Sequence, residues 1–131
     1  MGIEKDFLMR QLLMLFEVIH KILRHRKKGE NDEAMDEIRY FYDCLKIETD
    51  LTKLSIEDLI RFLETEKKLT NEHIEMIAFV MKEQGELMED DTRRIELFRK
   101  AYFLLEKVER ESTTFSMDRQ MKLAELREYM D

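Results

Sequence analysis

The absence of proline is the feature that most constrains how this chain can fold. Its 131 residues include no proline and only three glycines. Because proline ends or kinks helices, a chain without it can form long, uninterrupted helices. A β-sandwich or an α/β fold of this length needs more residues that favour turns. We therefore predict an all-α protein.

Length and composition predict one domain over residues 1–131. The chain is 44% hydrophobic and 40% charged, which is too apolar for a disordered chain and suits helices with solvated faces. Its net charge of −7 argues against nucleic acid or an anionic membrane as the partner. The single cysteine is typical of a reducing cytoplasm. We also find no secretory signal and no apolar run long enough to span a membrane, so we predict a cytoplasmic protein.

The spacing of apolar residues predicts six helices, of which the first runs from about Glu4 to Arg26. One arc of its surface carries most of its large apolar residues, namely Leu8, Leu12, Leu15, Phe16, Ile19, Ile22 and Leu23. Phe7, Met14 and Val18 form a second apolar arc, so the apolar surface is wider than one neighbouring helix covers. We therefore expect the second arc to contact another helix or a partner chain.

The stretch "KKGENDEA" is predicted to join the first two helices as an antiparallel hairpin. Gly29 can adopt the left-handed conformation that ends a helix, and the basic residues before it complement the helix dipole. Asn31 or Asp32 can then cap the second helix. The residues that we expect this helix to bury are Ala34, Ile38, Phe41 and Leu45.

Four further helices are predicted in the second half of the chain. The third helix is predicted to start at Ser55 and the fourth at Thr70 or Asn71. The fifth covers residues 91–111, and the sixth starts at Thr114 or Ser116 and ends near Tyr129. Ala78 and Gly85 are small enough to let a neighbouring helix approach closely. We expect Met117, Met121 and Ala124 of the last helix to point inward.

Two segments, "GENDEAMDEIRYF" and "IELFRKAYFLLEKV", resemble the second helix of a tetratricopeptide repeat. Through these segments, "DFLMRQLLMLFEVIHKIL" and "LSIEDLIRFL", the chain also resembles a family of small uncharacterised bacterial proteins. The resemblance implies a tetratricopeptide-like fold, in which five to six antiparallel helices form a right-handed stack of hairpins. It implies no assigned activity. A compact helical bundle is the alternative architecture.

The sequence contains no pattern that predicts a catalytic, cofactor-binding or metal-binding residue. Glu17 and His20 form a Glu-x-x-His pattern, but a di-iron site needs a second copy of it, and neither His25 nor His73 has a Glu three residues earlier. His73 is expected at the surface. Cys44 has no neighbouring base to activate it and is expected to be a small buried residue.

The best functional hypothesis is an interaction module or small scaffold rather than an enzyme, because stacked helix pairs form a concave face that binds peptides or helices. Its partner would be a protein or peptide, not nucleic acid or a membrane. The alternatives are a structural homodimer, formed through Phe7, Met14 and Val18, and a helical protein that binds a small ligand. The candidate partner surface consists of Phe7, Arg10, Met14, Glu17, Val18, His20, His73 and Glu83.

Overall fold

A computed structural model describes residues 2–130, with side chains from Glu4 onward. This part of the chain contains six α-helices and no β-strand. The helices are α1 (Gly2–Lys27), α2 (Asn31–Cys44), α3 (Ile56–Arg61), α4 (Asn71–Leu87), α5 (Asp91–Glu111) and α6 (Met117–Arg127). The prediction of an all-α fold is therefore confirmed.

Contacts within the chain divide it into two compact units. Unit 1 ends at Glu48 and contains α1 and α2, whereas unit 2 begins at Thr49 and contains α3 to α6. The single domain expected over residues 1–131 stays a prediction.

The turn between α1 and α2 ends the first helix as expected. Gly29 has a positive φ of 76°, and the Glu30 amide donates to the His25 carbonyl at 2.9 Å, which is the long hydrogen bond of a Schellman motif. The start of α2 differs from the prediction, because Glu30 rather than Asn31 or Asp32 is the N-cap and its side chain makes no capping bond. The Glu30 carboxylate instead lies 2.9 Å from His25 Nδ1.

Unit 1 is an antiparallel hairpin with an apolar core. The predicted residues Ala34, Ile38, Phe41 and Leu45 are all buried. On the other helix, the buried side chains within residues 4–27 are Leu15, Val18, Ile19 and Ile22. Each buried Leu, Ile, Val or Phe side chain stabilises the fold by about 1.5–3 kcal/mol, so these residues hold the hairpin together.

In unit 2, α3 begins after Ser55, whose hydroxyl accepts a hydrogen bond from the Asp58 amide at 3.1 Å. The helix then widens into a π-helical turn over Phe62–Glu66, closed by the Lys67 amide and the Phe62 carbonyl at 2.9 Å. Both Leu59 and Leu63 are buried, one on each side of this change in geometry.

Helices α4 and α5 pack closely as an antiparallel pair. A Cβ atom built at Gly85 would lie only 2.6 Å from Cε1 of the Phe98 ring, so the ring occupies the space that glycine leaves. Ala78 is also fully buried. The expectation that these two small residues allow close approach is confirmed at Gly85 by the Phe98 contact.

The last helix returns along α5 in the opposite direction. Near its start, Arg119 bonds Glu109 of α5, and near its end Arg127 lies 3.4 Å from the Tyr102 hydroxyl. Because Arg119 also bonds Glu75 at the start of α4, α6 runs parallel to α4. Helix α5 therefore packs against both α4 and α6, and charged side chains link α6 to α4.

Candidate interaction surfaces

A row of large apolar side chains is exposed along α1. Met9, Leu13 and Phe16 are 53%, 60% and 42% exposed. Their spacing of four and then three residues places them on one face of the helix, and the exposed His20 continues that face. We call Met9, Leu13, Phe16 and His20 the α1 stripe.

The first half of α1 extends beyond the reach of α2. At 1.5 Å per residue, the 26 residues of α1 span about 39 Å and the 14 residues of α2 about 21 Å. The turn at Gly29 starts α2 beside the C-terminal end of α1. As a result, α2 can cover only about the second half of α1.

The second apolar arc predicted for α1 is only partly exposed. Phe7 and Met14 are exposed, but Val18 is 3% exposed. Val18 lies one turn from Leu15 and Ile22, so it shares the packed face of the helix with them. The prediction that Val18 belongs to a partner surface is therefore wrong.

The polar candidates on α1, namely Arg10, Glu17 and His20, are all exposed. Arg10 and Glu17 follow Met9 and Phe16 by one residue each, so they flank the α1 stripe on the same side. Within the described residues, no group of three or more His, Cys, Asp or Glu side chains could hold a metal ion. Glu17 and His20 both lie at exposed positions on α1.

The two candidates on α4, His73 and Glu83, are buried rather than exposed. They are among 11 buried residues of the 17 in Asn71–Leu87, so this helix is covered on most of its circumference. The Thr70 hydroxyl lies 2.7 Å from His73 Nδ1, and the two residues form a capping box at the start of α4. Burial lowers the pKa of His73, because it disfavours the charged ring. The prediction of a surface position is wrong for both residues.

The orientation predicted for α6 is also wrong. Met117 and Met121 are 62% and 55% exposed, and Ala124 is exposed as well. The side chains that α6 buries are Arg119, Leu123 and Leu126. Hydrophobicity favours the methionines as the inward residues, but the buried face is built around an arginine that has specific partners. We call Met117 and Met121, which lie one turn apart, the α6 methionine face.

Arg119 joins the three long helices of unit 2. Its guanidinium group donates to Glu109 at 2.7 Å, to Glu75 at 3.0 Å and to the Thr114 carbonyl at 2.8 Å. Burial raises the pKa of Glu75, although its hydrogen bond and charge interaction with Arg119 oppose this shift. These contacts link α6 to α4, to α5 and to the loop that precedes α6.

Two lysines of unit 2 are buried with acidic partners. Lys107 Nζ lies 2.5 Å from Glu64 and 2.9 Å from Glu111, and Lys82 Nζ lies 3.1 Å from Glu125. The spacing of Lys107 and Glu111 suggests a helical ion pair, but such pairs are usually exposed. Nothing in their sequence pattern indicates burial.

A cleft of about 430 Å³ lies at one end of unit 2. Its charged lining residues are Asp50, Lys53, Arg93, Glu96 and Lys100. Lys100 Nζ donates to the Thr52 carbonyl at 2.6 Å, and burial lowers its pKa. Acidic and basic groups are mixed in this lining, so it favours neither an anion nor a cation. Under the alternative hypothesis of a helical protein that binds a small ligand, this cleft is where the ligand would bind.

None of the described helices is both long enough and apolar enough to cross a membrane. Comparisons with protein-family models, with curated proteins and with solved structures gave no match to this chain. Among the described residues, α1 and α6 carry most of the large apolar side chains that are exposed.

Proposed function

We propose that this protein is an interaction module or small scaffold of the bacterial cytoplasm, and that it binds a protein or peptide through exposed apolar helix faces. The observation that supports this proposal is the exposure of the α1 stripe and of the α6 methionine face. Large apolar patches on soluble proteins mark sites of interaction more often than isolated exposed residues do. Burial of these side chains against a partner would remove them from water and drive association.

The chemistry of the exposed side chains also suits binding. Phenylalanine and methionine are enriched in protein interfaces relative to the rest of the protein surface. Methionine has a flexible, polarisable side chain that adapts to differently shaped partners. The α6 methionine face, with the exposed Phe115 just before it, would therefore fit an apolar helix or peptide.

A tetratricopeptide-like stack is part of the proposal, with a compact helical bundle as the alternative. In unit 2, α4 and α5 are antiparallel and α6 returns parallel to α4, as indicated by the contacts of Arg119 with Glu75 and Glu109. Successive helices of a repeat array follow the same alternation. Such an arrangement leaves one face of the last helix for a further element or a partner.

The proposal can be tested by capturing partners from a bacterial lysate on the immobilised full chain, with quantitative mass spectrometry. Two variants would each place charge on one face: Met9→Glu with Leu13→Glu on α1, and Met117→Glu with Met121→Glu on α6. We expect a specific partner whose recovery falls by roughly tenfold, equivalent to about 1.4 kcal/mol, in one of these variants.

Lys21→Glu is the matched control, because Lys21 is exposed on the polar side of α1 and the substitution also adds negative charge. Circular dichroism must show that every variant keeps the helical content of the original chain. If the control and both face variants recover the same proteins in the same amounts, neither face is a binding surface and the proposal is wrong.

A further inference from the structure

We propose that the α1 stripe pairs with the α1 stripe of a second copy of this chain, with the two helices antiparallel. This inference rests on the proposed function, because it names the partner of one exposed face. The residues of the stripe are separated by four, three and four positions, which is the alternation of the two core positions in a heptad. Side chains with this spacing form a narrow seam that fits a second helix.

The stripe is separate from the face that α1 uses in its own hairpin. At 100° per residue, its centre lies roughly 140° around the helix from the centre of the buried residues Leu15, Val18, Ile19 and Ile22. One α1 helix can therefore contact α2 and a second copy at the same time. Pairing would leave the hairpin core intact.

One antiparallel register uses every residue of the stripe. If Leu13 packs against Phe16 of the second copy, then Met9 packs against His20 of that copy, and symmetry repeats both contacts. The result is four layers of side chains around a twofold axis, which forms a closed dimer. Apolar groups occupy both central layers.

The flanking charges favour this antiparallel register. Arg10 and Glu17 lie on the same side of the stripe, and reversing the second helix brings that side of one copy against the same side of the other. Arg10 of each copy then comes within side-chain reach of Glu17 of the other, which gives two symmetric ion pairs. A parallel pair would instead place these charges beside the positions of Leu12 and Ile19 and would set one His20 against the other.

The expected association is weak and reversible. Four layers of side chains make an interface at the small end of the observed range, below about 1,200 Å². Exposed ion pairs at its edge add little to the affinity, because water and salt screen them. We therefore expect a dimer with a Kd in the micromolar range.

Sedimentation equilibrium of the full chain over a range of concentrations tests whether the dimer forms. We expect Leu13→Glu, which places charge in a central layer, to raise the Kd by at least roughly a hundredfold, or about 2.7 kcal/mol. Phe103→Glu is the matched control, because Phe103 is an exposed apolar side chain that lies outside α1. A chain that stays monomeric at every concentration, or a dimer that survives Leu13→Glu, would overturn the inference.

Charge reversal tests the register. We expect Arg10→Glu and Glu17→Arg to weaken self-association separately, and the double variant to restore it because each pair is then reversed. An equimolar mixture of the two single variants should form mixed dimers, since one chain carries two negative flanking charges and the other two positive ones. A double variant as weak as the single variants would contradict the ion pairs.

Disulfide trapping tests the orientation in a Cys44→Ala background. The antiparallel register places residue 9 against residue 20 of the second copy, so Met9→Cys mixed with His20→Cys should form a mixed disulfide. Each variant alone should not, because two copies of residue 20 lie about 16 Å apart along the axis at 1.5 Å per residue. Rapid self-linking of His20→Cys would instead show a parallel pair and overturn the antiparallel register.

These results distinguish failure of the inference from failure of the proposed function. A monomeric chain that still loses a captured protein partner upon Met9→Glu with Leu13→Glu would refute pairing between copies and support the interaction module. A monomeric chain whose captured proteins are unaffected by either face variant would refute both.

Discussion

Helices α1 and α4 differ in how much of their surface is covered, although both are rich in apolar residues. Of the 17 residues in Asn71–Leu87, 11 are buried, including the charged residues Lys82 and Glu83. Within residues 4–27 of α1, four side chains are buried, while leucine, methionine and phenylalanine side chains remain exposed. The difference shows that the number of packed neighbours decides burial in this chain, and that hydrophobicity alone does not.

The two helices also differ in the interactions that surround them. Two polar pairs of the hairpin of α1 and α2, His25 with Glu30 and Arg39 with Asp36, lie at the surface or near it. In unit 2, Arg119 and Lys107 are buried and hold their carboxylates at short distances. Of these contacts, the buried ones therefore lie in unit 2, whereas those of the hairpin are at least partly exposed to solvent.

The largest expected effect is the loss of a packed ring in unit 2. We expect Phe98→Ala to lower the free energy of unfolding by about 3–5 kcal/mol, because it leaves a cavity against Gly85. Phe103→Ala, on the exposed side of the same helix, should change it by about 1 kcal/mol or less. Urea denaturation followed by circular dichroism measures both, and equal effects would contradict the assigned faces of α5.

A similar pair of substitutions tests the two faces of α1. Leu15→Ala should destabilise the hairpin by about 2–5 kcal/mol, because Leu15 is fully buried. Leu13→Ala should cost about 0.5 kcal/mol or less at protein concentrations too low for self-association. If Leu13→Ala costs as much as Leu15→Ala in the monomer, the α1 stripe is not a free surface, and the contrast between α1 and α4 disappears.

Local signals in the sequence predict the hairpin of unit 1 well. Gly29 ends α1 and the buried set Ala34, Ile38 and Phe41 follows helical spacing, because caps and apolar periodicity act within a few residues. For the contact between Gly85 and Phe98, the sequence predicts only a close approach at a small residue. The partner of Gly85 depends on the path of α5, which local pattern does not specify.

The errors of prediction concern side chains whose partners are distant in the sequence. Arg119 is buried because Glu75, 44 residues earlier, and Glu109 accept its hydrogen bonds. That arrangement turns Met117 and Met121 outward, against the order of hydrophobicity. The surface position predicted for Val18 is wrong because helical angles alone do not show how wide an arc the neighbouring helix covers.

Substitutions in the Arg119 cluster are expected to have intermediate effects that differ between its members. Arg119→Gln leaves Glu75 and Glu109 without their cation, and we expect a loss of about 1–3 kcal/mol, less than for a fully buried pair because Glu109 is partly exposed. Burial raises the pKa of Glu75, so folding favours the neutral form of its carboxyl group. The charged form therefore lowers the free energy of unfolding, and this cost is fully present above the folded pKa.

Glu75→Gln is therefore expected to leave the free energy of unfolding at neutral pH unchanged or higher, while it retains a hydrogen-bond acceptor for Arg119. Urea denaturation of the two variants in the same buffer compares them directly. A larger loss for Glu75→Gln than for Arg119→Gln would mean that the ion pair outweighs the burial of the carboxylate.

The smallest expected effect is a pH dependence from His73. Burial lowers the pKa of His73 from 6.5, so the unfolded chain takes up the proton more readily than the folded chain as the pH falls. The contribution of the neutral ring to stability is fully present above the unfolded pKa and is lost as the pH falls through the folded pKa. His73→Gln keeps a side chain suited to the capping box but removes this titration.

The informative quantity is the free energy of unfolding of the original chain minus that of His73→Gln, measured from about pH 8 to about pH 5, the range in which histidine titrates. Groups that titrate equally in both chains cancel in this difference, so we expect it to fall steadily towards low pH. A difference that stays constant or rises would mean that His73 is charged or solvated in the folded chain. In that case the coverage of α4 would not extend to its first turn, and α4 would differ from α1 less than the burial of its side chains indicates.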